Sequence, residues 1–99
     1  YCWYENNSNE RLQSPNLHDR DPNAFGLVDM VGNVSELCAT EWKEEGPGEL
    51  LNEVSATTIL VHRGGNVHSP LVHCNSFCRV PISLKMPCPS LGFRLVRSL

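Results

Sequence analysis

The chain has 99 residues, of which 40% are hydrophobic and 19% charged, and its 8 basic and 11 acidic side chains leave a net charge of −3. This composition is typical of one small globular domain, or of a piece of a larger one, and argues against a disordered chain. The charge provides no overall basic field for nucleic acid or an anionic lipid surface. No stretch approaches the roughly 20 apolar residues that a membrane-spanning helix needs, so no membrane span is predicted.

The first half of the sequence predicts loops joined by short strands. Residues 1–24 are polar and contain prolines, which favours a loop that begins with a short strand at 1–4. The apolar run 25–32 contains two glycines and favours a tight turn and a short strand rather than a helix. Residues 33–42 mix apolar and polar side chains and predict a short strand or turn. Residues 43–53 are rich in Glu and Gly and predict an exposed loop.

The second half predicts two further strands and no long helix. Residues 57–61 are β-branched and apolar, which is typical of a strand, and the glycines at 64 and 65 end it. The prolines spread over 66–90 exclude a long helix. Residues 91–96 predict a closing strand. The whole pattern indicates an irregular fold of short strands and long loops.

Five cysteines form an odd set, so at least one thiol must lie outside any intramolecular disulfides. Three of them follow the spacing Cys74-x3-Cys78-x9-Cys88, and His62, His68 and His73 stand nearby. These residue types could bind zinc or copper(I), although the spacing is not that of a zinc finger. The alternative is that the cysteines are buried thiols that behave as small apolar side chains.

Three blocks of the sequence, in the same order, resemble one protein family. Residues 22–37, PNAFGLVDMVGNVSEL, resemble its signature P-N-x-F-G-L-Y-D-M-x-G-N-V-W-E-W. Residues 63–65, RGG, resemble its R-G-G-S-W, and residues 91–95, LGFRL, resemble its terminal I-G-F-R-L. The family is the sulfatase-modifying-factor, or formylglycine-generating-enzyme, domain. The start of the chain, YCWYENNS, also resembles the Y-A-W-Y-x-x-N-S that often precedes the first block.

The resemblance covers nearly the whole chain and implies an irregular α+β fold of the C-type-lectin-like type. Because the family's domain is usually more than twice this length, residues 1–99 are expected to be its C-terminal portion. The missing N-terminal part of the domain would then be a possible partner.

The resemblance also implies a calcium site in the first block. The Asp29 side chain and the main-chain carbonyls of Met30, Gly32 and Val34 would be the ligands, since calcium takes six to eight oxygens. The alternative is that Asp29 caps a turn without an ion. Asn33 would bond the main chain of the same loop.

A further set of residues is expected to be structural. Arg63 and Arg94 flank glycine blocks, and each could bind an anion or tie loops together through carbonyls and carboxylates, with Glu36 as a partner. The expected structural set is Asn33, Glu36, Arg63, Gly64, Gly65, Arg79, Gly92, Phe93 and Arg94.

The family's oxidases convert a substrate cysteine with oxygen, using copper held by two thiolates that lie four and nine positions after the R-G-G block. Those positions are Ser69 and Cys74 in this sequence. Cys74 matches and would be the catalytic thiol, but the hydroxyl of Ser69 cannot replace a thiolate on copper(I). Copper, and with it oxidase activity, is therefore not expected, although an oxidase or its remnant is an alternative.

A non-catalytic structural or ligand-binding module is the predicted function, with a protein or peptide as the ligand. Residues 66–83 consist almost wholly of residue types favoured in the randomised segment of variable proteins from diversity-generating retroelements, which share this fold. Simple drift in a degenerate copy is the alternative. Loops on a rigid scaffold suit ligand binding in either case. The expected ligand-binding residues are Asn66, His68, Ser69, His73, Asn75 and Phe77.

Two other enzyme classes find little support. The related sulfoxide synthases hold their iron on a domain that this sequence lacks. Ser69 beside His68 has no nucleophile motif such as G-x-S-x-G around it.

Overall fold

A computed structural model describes residues 2–15 and 21–97. In this part of the chain, four short strands form one sheet in the order β3-β2-β1-β4. The strands are β1 (Ser35–Glu41), β2 (Ile59–Arg63), β3 (Val80–Ser83) and β4 (Leu91–Gly92), and a single 3-10 helix (Leu71–His73) lies between β2 and β3. The rest of the described chain consists of loops and turns. None of its helices is long and apolar enough to span a bilayer.

The pairing of the strands brings distant parts of the sequence together. β1 pairs with β2 antiparallel, with a bulge between Cys38 and Glu41, and β2 pairs with β3 antiparallel. β1 pairs with β4 in parallel, with Ser35 opposite Leu91 and Glu36 opposite Gly92. The last strand therefore lies directly beside the start of β1, and the first and third family-like blocks become neighbours.

The hydrophobic core of the described chain is small. Its buried apolar side chains are Leu60 and Val61 of β2, together with Val67 and Cys74 from the loop that follows β2. Hydrogen bonds tie the N-terminal segment onto this core: the Asn33 N–H donates to the Trp3 carbonyl over 2.9 Å, and the Ser8 hydroxyl donates to the Val67 carbonyl over 2.8 Å. A chain with so little buried apolar surface depends strongly on such bonds.

The strands expected at 33–42 and 57–61 exist as β1 and β2, and the second begins and ends two residues later than expected. The exposed loop expected at 43–53 is present, with one isolated bridge between Thr40 and Leu50. Residues 66–90 contain no long helix, as the prolines predicted.

Other local predictions were wrong. Residues 2–4 form no strand, and Tyr1 lies outside the described residues. Residues 25–32 begin with the expected turn, in which the Gly26 N–H donates to the Asn23 carbonyl over 2.9 Å, but form no strand. The closing strand covers only Leu91–Gly92 rather than 91–96. β3 was not predicted because it contains Pro81, which lacks an N–H for the ladder, but β3 is an edge strand and tolerates it.

Candidate functional site

Glycines at the end of β2 set the position of the loop that follows. Gly64 and Gly65 both have positive φ, at +91° and +70°, which favours glycine. A Cβ on Gly65 would stand 2.7 Å from the Cys74 Sγ, so a side chain there has no space. The N–H of Gly32 donates to the Gly64 carbonyl over 2.8 Å, which joins this turn to the first family-like block.

The loop of residues 66–79, which we call the 66–79 loop, is anchored at its start. Val67 is 1% exposed, and its N–H donates to the Asn33 carbonyl over 3.1 Å. The Glu5 N–H donates to the Ser69 carbonyl over 3.1 Å, so the N-terminal segment also holds this part of the loop. The beginning of the loop is therefore attached to two other segments of the chain.

Amide and hydroxyl side chains hold the loop from within. The Asn66 side chain donates to the Ser35 hydroxyl over 3.0 Å and accepts the His68 N–H over 2.9 Å. The Ser69 hydroxyl accepts the Asn66 N–H over 3.0 Å. Asn66 and Ser69, both expected to bind ligand, are thus half-buried and bonded to the protein itself.

Asn75 plays the same part at the far end of the loop. Its side-chain oxygen accepts the N–H groups of Phe77 and Cys78 over 2.8 and 2.7 Å, and its amide donates to the Val72 carbonyl over 2.6 Å. The Arg63 guanidinium donates to the Ser76 carbonyl over 3.0 Å and, over 3.5 Å, to the Phe77 carbonyl. Hydrogen bonds from an asparagine side chain to nearby main-chain groups take the place of the backbone–backbone hydrogen bonds that an irregular segment lacks.

Six of the fourteen side chains of the loop face solvent. Phe77 is 88% exposed, Val72 is 72% exposed and Leu71 is 55% exposed. His68, His73 and Ser76 are exposed as well. Of the six residues expected to bind ligand, His68, His73 and Phe77 belong to this outward set. Leu71 and Val72 also belong to the outward set but were not predicted to bind ligand. The sequence did contain a signal for them, because they are apolar residues in a proline-rich segment that is not expected to form core.

A small cleft of about 120 Å³ separates the 66–79 loop from the end of β2. Its lining comprises His62, Arg63, Gly64, Gly65, Ser69, His73, Cys78 and Val80. Burial lowers the pKa of His62, which favours the neutral ring, and its Nδ1 has no hydrogen-bond partner among the described residues. The cleft is thus a concave site next to the exposed apolar side chains, with one arginine, Arg63, in its lining.

The residues present do not fit the copper pair implied by the family resemblance. Cys74 is buried, and burial, together with the neighbouring Cys2 side chain, raises the pKa of its thiol to about 11. Its expected partner position is Ser69, whose hydroxyl already bonds within the loop. No group of three or more His, Cys, Asp or Glu side chains in the described chain is placed to hold a metal ion.

The predicted calcium loop is held by protein groups. The Asn33 amide donates to the Asp29 carboxylate over 3.3 Å and to the Gln13 carbonyl over 3.0 Å, and the Asn33 side-chain oxygen accepts the Gln13 N–H over 2.9 Å. The ligand set with Met30, Gly32 and Val34 supplies one carboxylate, so calcium would depend mainly on carbonyls. Calcium binding stays a prediction, and a calorimetric titration with Asp29→Asn as the control tests it.

An ion pair joins the first and third blocks. The Arg94 guanidinium donates to both carboxylate oxygens of Glu36, at distances from 2.5 to 3.1 Å, and to the Val28 carbonyl over 3.2 Å. Gly92 packs near Val34, since a Cβ there would stand 3.5 Å from the Val34 Cγ2. We call residues 32–36, 63–65 and 91–94 the framework.

Two residues of the expected structural set contribute differently. Arg79 lies over the Trp42 ring, with 5.1 Å between the guanidinium carbon and the ring centroid, and donates to the Lys43 carbonyl over 3.4 Å. Phe93 is 74% exposed, so it packs little against the described chain.

This combination of a small sheet, long bonded loops and an outward-facing loop defines a C-type-lectin-like module, as the sequence predicted. The comparison with solved structures confirms that fold. Variable protein 1 of Treponema denticola matches with a TM-score of 0.74 and 29% sequence identity. The match covers 94% of this chain and 34% of that protein, so the chain spans about a third of the length of this relative.

The family assignment is confirmed as well. The sequence matches the Sulfatase-modifying factor enzyme 1-like domain over residues 1–99. The chain belongs to that family. Among curated proteins, no relative matches it.

Proposed function

We propose that this chain is a ligand-binding module that uses the outward side chains of the 66–79 loop to bind a protein or peptide. The observation that carries the proposal is the contrast within the loop. Its backbone is bonded by Asn66, Asn75 and Arg63, whereas Val72 and Phe77 are 72% and 88% exposed. Exposed aromatic and aliphatic side chains on a held backbone are typical of binding surfaces.

The similarity to a protein named as variable supports the same proposal. A loop whose shape depends on a few inward asparagines can change its outward residues without losing its conformation. Ligand binding then needs only side chains at the surface, and no catalytic group. The residues at positions 69 and 74 do not provide a thiolate pair, so a copper-dependent oxidase is not proposed.

A peptide is the favoured ligand because of the chemistry of the surface. The outward set combines apolar side chains with the imidazoles of His68 and His73 and contains no Asp, Glu, Lys or Arg. Interfaces with proteins are likewise depleted in charge at their centre and enriched in aromatic residues. The cleft beside the loop is large enough only for a small group, such as one side chain of a bound peptide.

A random-peptide phage library, panned against the immobilised chain, tests the proposal. We expect enriched peptides whose dissociation constant for the Phe77→Ala variant is at least about tenfold higher, because a buried aromatic contact contributes about 2 kcal/mol. Phe25→Ala is the matched control, since Phe25 is 86% exposed but lies outside the loop. Its affinity for the same peptides should equal that of the unmodified chain.

Two results would overturn the proposal. One is the absence of any enriched peptide from the library. The other is a set of enriched peptides that bind the Phe77→Ala variant as tightly as the unmodified chain, because the ligand would then occupy another surface.

A further inference from the structure

Two cysteines far apart in the sequence converge on the glycine turn. A Cβ on Gly32 would stand 2.9 Å from the Cβ of Cys2, and a Cβ on Gly65 would stand 2.7 Å from the Sγ of Cys74. Gly32 is itself bonded to Gly64 through a 2.8 Å hydrogen bond. Cys2 and Cys74 therefore pack against two backbone segments that are directly joined to each other.

The main chain around Cys2 is held in place. Its carbonyl accepts the Asn7 side-chain amide over 2.9 Å, and the Asn7 oxygen accepts the Tyr4 N–H over 2.8 Å. The Trp3 carbonyl accepts the Asn33 N–H over 2.9 Å. Cys2 is consequently fixed toward the core rather than carried on a loose chain end.

The Cys2 thiol also influences that of Cys74. After burial, the interaction with Cys2 is the next cause of the raised pKa of Cys74, ahead of Cys78. Cys38 and Cys88 do not contribute to it. All five cysteines are free thiols in the structure. Cys2 is thus the cysteine that both packs against the same joined glycine segments and acts on the Cys74 thiol.

We propose that Cys2 and Cys74 form a disulfide under oxidising conditions, which links the N-terminal segment covalently to the 66–79 loop. The inference is independent of the ligand that the loop binds. The bond would secure the loop at Cys74, which directly follows the 3-10 helix and precedes Asn75. It would also close most of the chain into a loop, which is the arrangement that stabilises a folded state most in the chain-entropy account.

The reaction needs an external disulfide such as oxidised glutathione. The half-exposed Cys2 loses its thiol proton and attacks one glutathione sulfur, which forms a mixed disulfide and releases one glutathione thiol. The Cys74 thiol then loses its proton, and its sulfur attacks the Cys2 sulfur and displaces the second glutathione. Two protein thiols are oxidised, and one glutathione disulfide is reduced to two thiols.

The test incubates the native chain in buffers of increasing ratio of oxidised to reduced glutathione and then blocks free thiols with an alkylating reagent. We expect non-reducing peptide mapping to show a peptide joining Cys2 to Cys74 as the predominant crosslink, with three alkylated thiols on the protein instead of five. The melting temperature of the oxidised chain should exceed that of the reduced chain by about 10 °C or more.

Cys2→Ser and Cys38→Ser form a matched pair of variants, because both cysteines are only partly buried. Oxidation should leave the melting temperature of Cys2→Ser unchanged and should raise that of Cys38→Ser as in the unmodified chain. The inference is overturned if Cys74 is recovered mainly unlinked, if it is linked mainly to Cys78, or if native oxidation gives a statistical mixture of pairs. Because the mapping uses the unmodified chain, a poorly folding variant does not affect this outcome.

Discussion

The framework and the 66–79 loop are both densely hydrogen-bonded, but they use their side chains in opposite ways. In the framework, side chains bond to distant parts of the chain, as Glu36 does to Arg94, and Gly32 and Gly65 leave no space for a Cβ. In the loop, Asn66, Ser69 and Asn75 turn inward to hold the backbone, and six other side chains project into solvent. One region fixes the fold, and the other uses the fold to display residues.

This difference separates stability from recognition within the chain. Changes in the framework should cost free energy of unfolding, whereas changes at outward loop positions should alter binding without affecting stability. The inward asparagines of the loop should behave like framework residues despite their place in the sequence. The following predictions test that separation, beginning with the largest expected effect.

Gly65→Ala should destabilise the chain by about 2–5 kcal/mol. The positive φ costs about 1–2 kcal/mol for a residue with a Cβ, and the overlap with Cys74 adds a packing penalty of about 1–3 kcal/mol. Gly26→Ala is the control, since Gly26 has a φ of +74° but nothing within 4 Å of its Cβ position. Gly26→Ala should lose only the free energy that the positive φ costs, about 1–2 kcal/mol. Equal losses in urea unfolding would show that the contact with Cys74 has no energetic importance.

Glu36→Gln should cost about 1–3 kcal/mol. The substitution weakens the hydrogen bonds between the two side chains and leaves the Arg94 guanidinium without its counter-charge. Both side chains are partly buried, with 22% of Glu36 and 31% of Arg94 exposed. Glu49→Gln breaks the exposed pair with Lys43 and should leave the unfolding midpoint unchanged. If the two variants unfolded at the same denaturant concentration, the ion pair between Glu36 and Arg94 would not stabilise the fold.

Asn75→Ala should cost a similar amount, about 1–3 kcal/mol, because the N–H groups of Phe77 and Cys78 lose their acceptor. Hydrogen exchange should show faster exchange at these two amides than in the unmodified chain. Ser76→Ala, at an exposed neighbouring position, serves as the control. Unchanged exchange in Asn75→Ala would contradict the role of the asparagine in holding the loop.

Acidification should destabilise the chain through His62. Because burial lowers its pKa in the folded state, the unfolded chain binds the proton more readily. The contribution of His62 is therefore complete above the unfolded pKa of about 6.5 and is lost as the pH falls through the folded value. His62→Leu should reduce the pH dependence of the melting temperature below neutrality, whereas His68→Gln at an exposed position should retain it. Identical pH profiles for both variants would rule this contribution out.

Exchanging the outward residues should have the smallest effect on stability. Val72→Asn combined with Phe77→Ser should change the free energy of unfolding by no more than about 0.5 kcal/mol, because both side chains are largely exposed. The same variant should lose the peptides selected by the unmodified chain. A loss of stability comparable to that of Asn75→Ala would mean that recognition and folding are not separate in this loop.

Most of the framework could be predicted from the sequence because its residue types have few alternatives. Adjacent glycines at 64 and 65 and the β-branched run before them indicate a strand followed by a sharp turn. The pairing of β1 with β4 could not be inferred, because a parallel register depends on the path of the whole chain rather than on local pattern. The same holds for β3, whose Pro81 conceals an edge strand.

The loop was predictable as a region but not residue by residue. Composition indicated a surface segment, yet it did not distinguish the asparagines that turn inward from the histidines that face solvent. Asn66 and Asn75 are as suited to contact a ligand as to bond the backbone, and only their hydrogen-bond partners decide between the two. The proximity of Cys2 to Cys74 likewise depends on the folded path of the N-terminal segment.

The inward bonding of Asn75 has a consequence for the thermodynamics of recognition. A segment that is ordered before its ligand arrives loses little conformational entropy on association, so a few side chains suffice for measurable affinity. Binding to such a surface should resemble the docking of a rigid body, with heat-capacity changes that reflect buried apolar area and no contribution from coupled folding. The few buried apolar residues of the described chain then stabilise the fold, and its exposed apolar residues are available to contact a ligand.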